Sequence, residues 1–85
     1  MSEKDQLSGR QIAAARVLIG MAQGELASAA NVSVPTLRRM EASDGPASGM
    51  PNNVAAVRRA LEAAGCTFLA DDGAAGPGVR AIVGR

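Results

Sequence analysis

The stretch NVSVPTLRRME, residues 31–41, carries the signals of a helix start. Ser33 is a favourable N-cap residue, because its hydroxyl can accept a hydrogen bond from a free N–H of the first turn. Pro35 is tolerated in that turn, where its missing N–H breaks no helical hydrogen bond. The pattern therefore predicts a helix over about residues 34–42.

This helix has two chemically different sides. Leu37 and Met40 are three residues apart and share one apolar face, whereas Arg38 and Arg39 point elsewhere. The helix is then either a solvated surface helix or one that presents its arginines to a ligand. The residues alone leave both interpretations open.

Three more helices are predicted around it. Ser8 and Gln11 fit the capping-box pattern at the start of a first helix, which Gly20 ends. A second helix covers about residues 23–30. A loop rich in Gly, Pro and Ser then leads into a fourth helix, NNVAAVRRALEAAG, at residues 52–65.

Each predicted helix repeats apolar residues at helical spacing, so that one face of each can pack into a common core. Ala27 is small enough to let the second and third helices cross closely. Asn31 tolerates the left-handed backbone that the turn between them needs, and Val32 is expected to fill the corner. The expected core residues are Ile12, Ala15, Ile19, Leu26, Ala27, Ala30, Leu37, Met40, Val54, Val57, Leu61 and Ala64.

The last twenty residues have a different composition. CTFLAD (66–71) and VRAIV (79–83) have strand composition, and turn residues separate them, which predicts a β-hairpin. In the first segment Cys66, Phe68 and Ala70 share one face. In the second, Val79, Ala81 and Val83 share one face, and Arg80 and Ile82 share the other.

The expected organisation is therefore a flexible N-terminus (1–7), a four-helix domain (8–65) and a hairpin tail (66–85). A two-stranded hairpin is marginal alone and leaves an unpaired edge. We therefore expect the tail to join two copies of the chain in a homodimer. Such a dimer would have twofold symmetry.

Composition excludes several classes of protein. The net charge is only +1, too small for a protein that coats nucleic acid through charge alone. Eight of the nine basic residues are Arg, which suits bidentate contacts to phosphate or guanine. No stretch approaches the length of a membrane span, so a cytoplasmic protein without membrane contact is expected.

The chain contains no His and a single Cys, Cys66. Zinc sites and catalytic triads depend on these residue types, so we expect no metal, no cofactor, no catalytic residue and no enzymatic activity. Cys66 itself is expected to be a small buried hydrophobe in a reducing compartment.

The second helix, the turn and the third helix form a helix-turn-helix pattern. The segment RVLIGMAQGELASAANVSVPTLRRMEASDG (16–45) resembles the Cro/phage-repressor (XRE) family of small bacterial transcriptional regulators. The ending LEAAGCTFLADDGAAGPGVR (61–80) is similar to that of its small single-domain members. The resemblance implies a mostly α, lambda-repressor-like fold of four helices with the hairpin at its C-terminus.

The resemblance also implies roles for individual residues. Gln23, which opens the second helix, matches a Gln that binds a DNA phosphate. Arg16 and Glu41 match a structural ion pair between the first and third helices. The residues that match base-facing positions are Ser33, Val34, Pro35, Thr36, Arg38 and Arg39.

Four positions depart from the family pattern. Ala22 stands where Ser or Thr usually caps the second helix, and Asn31 replaces the usual Gly. Val34 and Pro35 occupy positions where Gln is frequent, and neither can make a bidentate contact to adenine. Base recognition is then expected to use thymine methyl groups and guanine contacts from Arg.

The leading expectation is a sequence-specific regulator of transcription, more specifically a repressor, that reads double-stranded DNA as a dimer. The alternative is a module, such as an antitoxin, that binds a protein partner with the same fold. Gln23, Arg38 and Arg39 are open to a second interpretation as ordinary solvated residues. For Arg58 and Arg59 a solvated face is the main expectation and contact with the DNA backbone the alternative.

Overall fold

A computed structural model describes residues 6–82. Residues 1–5 of the predicted flexible terminus and Val83 of the predicted second strand lie outside this range. Four helices precede a two-stranded antiparallel hairpin, so the fold is mostly α. The elements are α1 (Gly9–Leu18), α2 (Gln23–Ala30), α3 (Val34–Glu41), α4 (Pro51–Ala63), β1 (Cys66–Leu69) and β2 (Gly78–Ala81).

The start of α1 confirms the predicted capping box. The Gln11 N–H donates to Ser8 Oγ at 3.0 Å, and the Ser8 N–H donates to Gln11 Oε1 at 2.9 Å. Gly20 follows the helix with φ +69°, a left-handed conformation that favours Gly. These contacts fix both ends of α1 through residues close in sequence.

The turn between α2 and α3 also has the predicted geometry. Asn31 is left-handed, with φ 57°. Ala22 offers no side-chain cap to α2, and the Glu25 carboxylate instead accepts a hydrogen bond from the Ala22 N–H at 2.9 Å. The helix α3 ends at Glu41, one residue before the predicted end, because Ala42 forms its C-cap.

The helix α4 is shifted towards the N-terminus relative to the predicted residues 52–65. It begins at Pro51, whose fixed φ suits the first turn of a helix. It ends at Ala63, with Ala64 as the C-cap, because Gly65 adopts φ +110° and leaves the helical path.

The core lies where the helices and the hairpin meet. Burying one large apolar side chain fully contributes about 1.5–3 kcal/mol. Ile19, Val54 and Ala64, expected in the core, are only half-buried. The buried apolar residues are Leu7, Ile12, Ala15, Leu26, Ala27, Ala30, Leu37, Met40, Val57, Leu61 and Cys66.

In the hairpin, Cys66 pairs with Ala81 and Phe68 with Val79, so the predicted inner faces of the two strands coincide. The first strand ends at Leu69, two residues before its predicted end, and the second begins at Gly78, one residue earlier than predicted, and ends at Ala81. This inner face packs against α1 and α4 within the same chain. The hairpin therefore does not need a second copy of the chain to be stable.

A buried glutamine anchors the hairpin to α1. The Gln11 side chain is 6% exposed, and its Nε2 donates to the carbonyl oxygens of both Leu69 and Gly78, at 3.1 and 2.9 Å. Those two residues are the last pair of the ladder. Gln11 thus caps α1 with its oxygen and holds the loop end of the hairpin with its nitrogen.

On the α4 side, the Arg58 guanidinium lies 5.5 Å from the centre of the Phe68 ring and pairs with Glu62. Arg58 is half-buried and thus less solvated than expected, whereas Arg59 is exposed, as expected. Arg58 is half-buried because a planar guanidinium can stack on an aromatic ring.

Cys66 is a buried hydrophobe, as predicted. Its side chain is in the core, and burial raises the pKa of the thiol. The thiol therefore stays protonated and unreactive at neutral pH in the folded chain. No helix within residues 6–82 has both the length and the apolar character needed to cross a bilayer.

Two substitutions should separate the contribution of Gln11 to the cap of α1 from its contribution to the hairpin. Gln11→Met removes the donor to the Leu69 and Gly78 carbonyls and the acceptor of the Ser8 N–H. The free energy of unfolding should therefore fall by about 1–3 kcal/mol. Ser8→Ala removes only one bond of the capping box and should cost about 1 kcal/mol. Urea denaturation measures both. Equal losses would mean that the two hairpin bonds add nothing to stability.

Candidate nucleic-acid interface

The helices α2 and α3 are joined by a tight turn that the core holds in place. The Val32 N–H donates to the Ala27 carbonyl at 3.0 Å, and Val32 is half-buried against the core. Leu37 and Met40 are fully buried and attach one side of α3 to the other helices. The opposite side of α3 is therefore presented outward at a fixed angle.

Helical geometry gives the order of residues across that outward side. Successive side chains advance by about 100° around the axis, so Pro35 lies opposite Leu37 and Met40. Arg38 and Arg39 lie on the two flanks of Pro35, and all three are exposed.

The margins of the outward side are half-buried. Val34 borders Arg38 and packs against the core, and Thr36 borders Arg39. The structure thus places all six predicted base-facing residues at the N-cap or on one side of α3. Val34 offers less free surface than the sequence suggested.

A chain of hydroxyl groups links the start of α3 to Arg39. Ser33 Oγ accepts from the Thr36 N–H at 3.1 Å, which confirms Ser33 as the N-cap. The Ser33 hydroxyl in turn donates to Thr36 Oγ1 at 2.8 Å. Arg39 Nη2 also approaches Thr36 Oγ1, at 3.4 Å, a long hydrogen bond.

Neither Arg38 nor Arg39 forms an ion pair within residues 6–82. By contrast, Arg10 pairs with Asp44, at 3.1 Å between Nη2 and Oδ1. The outward side of α3 therefore carries two positive charges that no carboxylate of the described chain neutralises. An anion such as a phosphate, or the acceptor edge of a base, can satisfy such groups.

Arg16 and Glu41 form the expected ion pair. Arg16 Nε donates to Glu41 Oε2 at 2.8 Å and Nη2 donates to Oε1 at 3.1 Å, a bidentate arrangement. The side chains are 20% and 8% exposed. Arg16 Nη1 also donates to the Met21 carbonyl at 3.1 Å, so the pair ties α1 to the end of α3 and to the segment before α2.

Gln23 lies at the start of α2, as predicted, but it also has a partner inside the chain. Its Nε2 donates to Glu41 Oε1 at 3.0 Å. One amide N–H is therefore used within the fold, and the other remains for an external acceptor. Sequence reasoning treated Gln23 as a phosphate ligand or an ordinary solvated residue and missed this bond, which joins residues 18 positions apart.

Two serines that the sequence analysis did not single out fix the end of α3. The hydroxyls of Ser43 and Ser48 both donate to the Arg39 carbonyl, at 3.0 and 3.2 Å. Gly9 of α1 comes so close to this end that a β-carbon there would lie 2.6 Å from the Ser43 carbonyl oxygen. The orientation of α3 is thus constrained at its end as well as at its buried side.

Within residues 6–82, no group of three or more His, Cys, Asp or Glu side chains is arranged to hold a metal ion.

Comparison with known proteins does not assign the chain to a family. No profile of a known protein family matches the chain, and no curated protein matches it.

Removing one partner of the ion pair should destabilise the protein. Glu41→Ala leaves the Arg16 guanidinium largely buried without a carboxylate, and we expect a loss of at least about 2 kcal/mol in the free energy of unfolding. Glu62→Ala is the matched control, because it breaks a solvent-exposed pair and should cost at most about 0.5 kcal/mol. Thermal and urea denaturation measure both variants. Similar losses would show that the Arg16–Glu41 pair is no stronger than a surface pair.

Proposed function

We propose that this protein is a sequence-specific regulator of transcription, acting as a repressor, that inserts α3 into the major groove of double-stranded DNA. In this proposal α2, the turn and α3 form a lambda-repressor-like helix-turn-helix of the XRE type, working in the bacterial cytoplasm. The observation that carries the proposal is the pair of exposed, unneutralised arginines on the outward side of α3.

Each of these residues would contact the part of the DNA that suits its chemistry. Arg39, beside Thr36, reaches guanine O6 and N7, and Arg38 contacts a phosphate or a second base. Pro35 and the exposed part of Val34 contact thymine methyl groups. Gln23 binds a phosphate with its second amide N–H, aided by the positive N-terminal end of α2.

The distribution of apolar surface favours DNA over a protein partner on this face. The large apolar residues that are exposed belong to other elements, so α3 offers charge rather than an apolar patch. A protein partner, as in an antitoxin, would have to use a different surface. The exposed residues concerned are Val17, Leu18, Met50, Leu69 and Ile82.

The protein is further proposed to act as a homodimer. One recognition helix covers few base pairs, and a dimer can bind two inverted half-sites about 34 Å apart. The outer face of the hairpin supports an interface there, because Leu69 and Ile82 are 40% and 46% exposed. These two residues would be the apolar contacts between the copies.

Recovery of bound fragments from genomic DNA tests the function and yields the site together.

On that site, Arg39→Ala should cost about 1–3 kcal/mol of binding free energy and relax one base position. Fluorescence anisotropy on cognate and scrambled duplexes at one salt concentration measures the loss. Arg59→Ala, an exposed arginine outside α3 and outside the proposed dimer interface, is the charge-matched control and should change affinity little. If Arg39→Ala weakens both duplexes equally, Arg39 contacts phosphate, and if no DNA is enriched, the proposal is wrong.

The dimer interface is best tested by point substitutions, since deleting residues 66–85 would also remove Cys66 from the core. Leu69→Lys combined with Ile82→Lys should give a monomer in sedimentation equilibrium, because it places charges on the proposed apolar contact. Met50→Lys, an exposed apolar residue outside the hairpin, should leave a dimer. A wild-type chain that is monomeric at high concentration would exclude this interface.

A further inference from the structure

We propose that Thr36 is a positioning residue that aims the Arg39 guanidinium at a guanine, and that it does not read a base itself. This inference rests on the proposed DNA-binding function and adds the mechanism of specificity. The evidence is the hydrogen bonding of one oxygen atom, Thr36 Oγ1.

That oxygen lies between two neighbouring donors. Ser33 Oγ lies 2.8 Å from it, and Arg39 Nη2 approaches it at 3.4 Å. A hydroxyl oxygen has two lone pairs, and both neighbours face them. A base donor such as adenine N6 or cytosine N4 would therefore have to displace one of these neighbours.

Thr36 is itself held firmly. Its backbone N–H is bound by Ser33 Oγ at 3.1 Å, and its side chain is half-buried at the margin of α3. The β-branched side chain has few accessible rotamers. A fixed oxygen beside a long, mobile Arg side chain reduces the freedom that Arg39 would lose on binding.

Arg38 has no comparable support. Within residues 6–82 no hydrogen bond or ion pair of its side chain is present, although it is exposed on the opposite flank of Pro35. The two arginines are therefore different: Arg39 is oriented before binding and Arg38 is free. An oriented guanidinium suits a bidentate partner with two acceptors in one plane, which among the bases is guanine.

The polar groups on this side of α3 then act mainly as donors. Both guanidinium groups carry only N–H donors, and the lone pairs of Thr36 already face Ser33 and Arg39. Guanine, with N7 and O6, and thymine, with O4, present matching acceptors in the major groove. The substrate class is therefore a half-site in which guanine faces Arg39.

The test uses the full-length protein and the site recovered from genomic DNA. Arg39→Ala first identifies the base pair that Arg39 reads, as the position where discrimination between guanine and adenine is lost. Thr36→Val then removes the hydroxyl and keeps the side-chain shape. Thr36→Ser keeps the hydroxyl and serves as the matched control, and circular dichroism verifies that each variant is folded.

We expect Thr36→Val to lower discrimination at the same base pair by about three- to tenfold, within the range that one bidentate contact provides. Thr36→Ser should retain most of that discrimination.

Loss at a different base pair would mean that Thr36 reads DNA directly, and a uniform loss or no change would also overturn the inference. If Arg39→Ala identifies no base pair, Arg39 does not contact a base and the inference fails while DNA binding stands. If the wild-type protein shows no selective DNA binding, the proposed function itself fails.

Discussion

The carboxylate of Glu41 is the contact on which the arrangement of the helices depends. It lies at the end of α3 and accepts two hydrogen bonds from Arg16 of α1 and one from Gln23 of α2. Three helices therefore meet at one largely buried group. Such charge-assisted bonds are short and directional, so they fix angles as well as distances. The direction in which α3 presents its arginines is set by this contact together with the burial of Leu37 and Met40.

The fold was predictable wherever the deciding interactions are local. The Ser8–Gln11 capping box, the Ser33 cap and the left-handed Asn31 involve residues within three positions of one another, so the sequence shows both partners side by side. Helical spacing of apolar residues likewise indicated most of the core. The start of α4 was less accurate, because Pro51 permits a start one residue before the predicted one.

Contacts between distant residues could not be predicted in this way. Gln11 bonds residues 58 and 67 positions away, and nothing in its local sequence distinguishes an anchor from an ordinary capping residue. The half-burial of Arg58 depends on a ring that only the folded hairpin supplies. At the candidate site, spacing placed Arg38 and Arg39 away from the apolar face of α3, whereas the full set of base-facing residues and the Arg16–Glu41 pair followed only from resemblance to a family. The bond from Gln23 to Glu41 joins residues 18 positions apart, so no local pattern indicates it.

The two arginines of α3 have one structural explanation apart from DNA. They lie in its last turn, where the negative end of the helix dipole stabilises positive charge. That effect offsets part of the repulsion between Arg38 and Arg39 and explains why the fold tolerates them. The dipole would stabilise Lys as well as Arg, and its effect does not depend on the Thr36 hydroxyl beside Arg39. The dipole thus accounts for two positive charges at this end of α3. The contact of Arg39 with Thr36 is independent of the dipole, and in the proposed function it would orient the guanidinium before it meets a planar pair of acceptors.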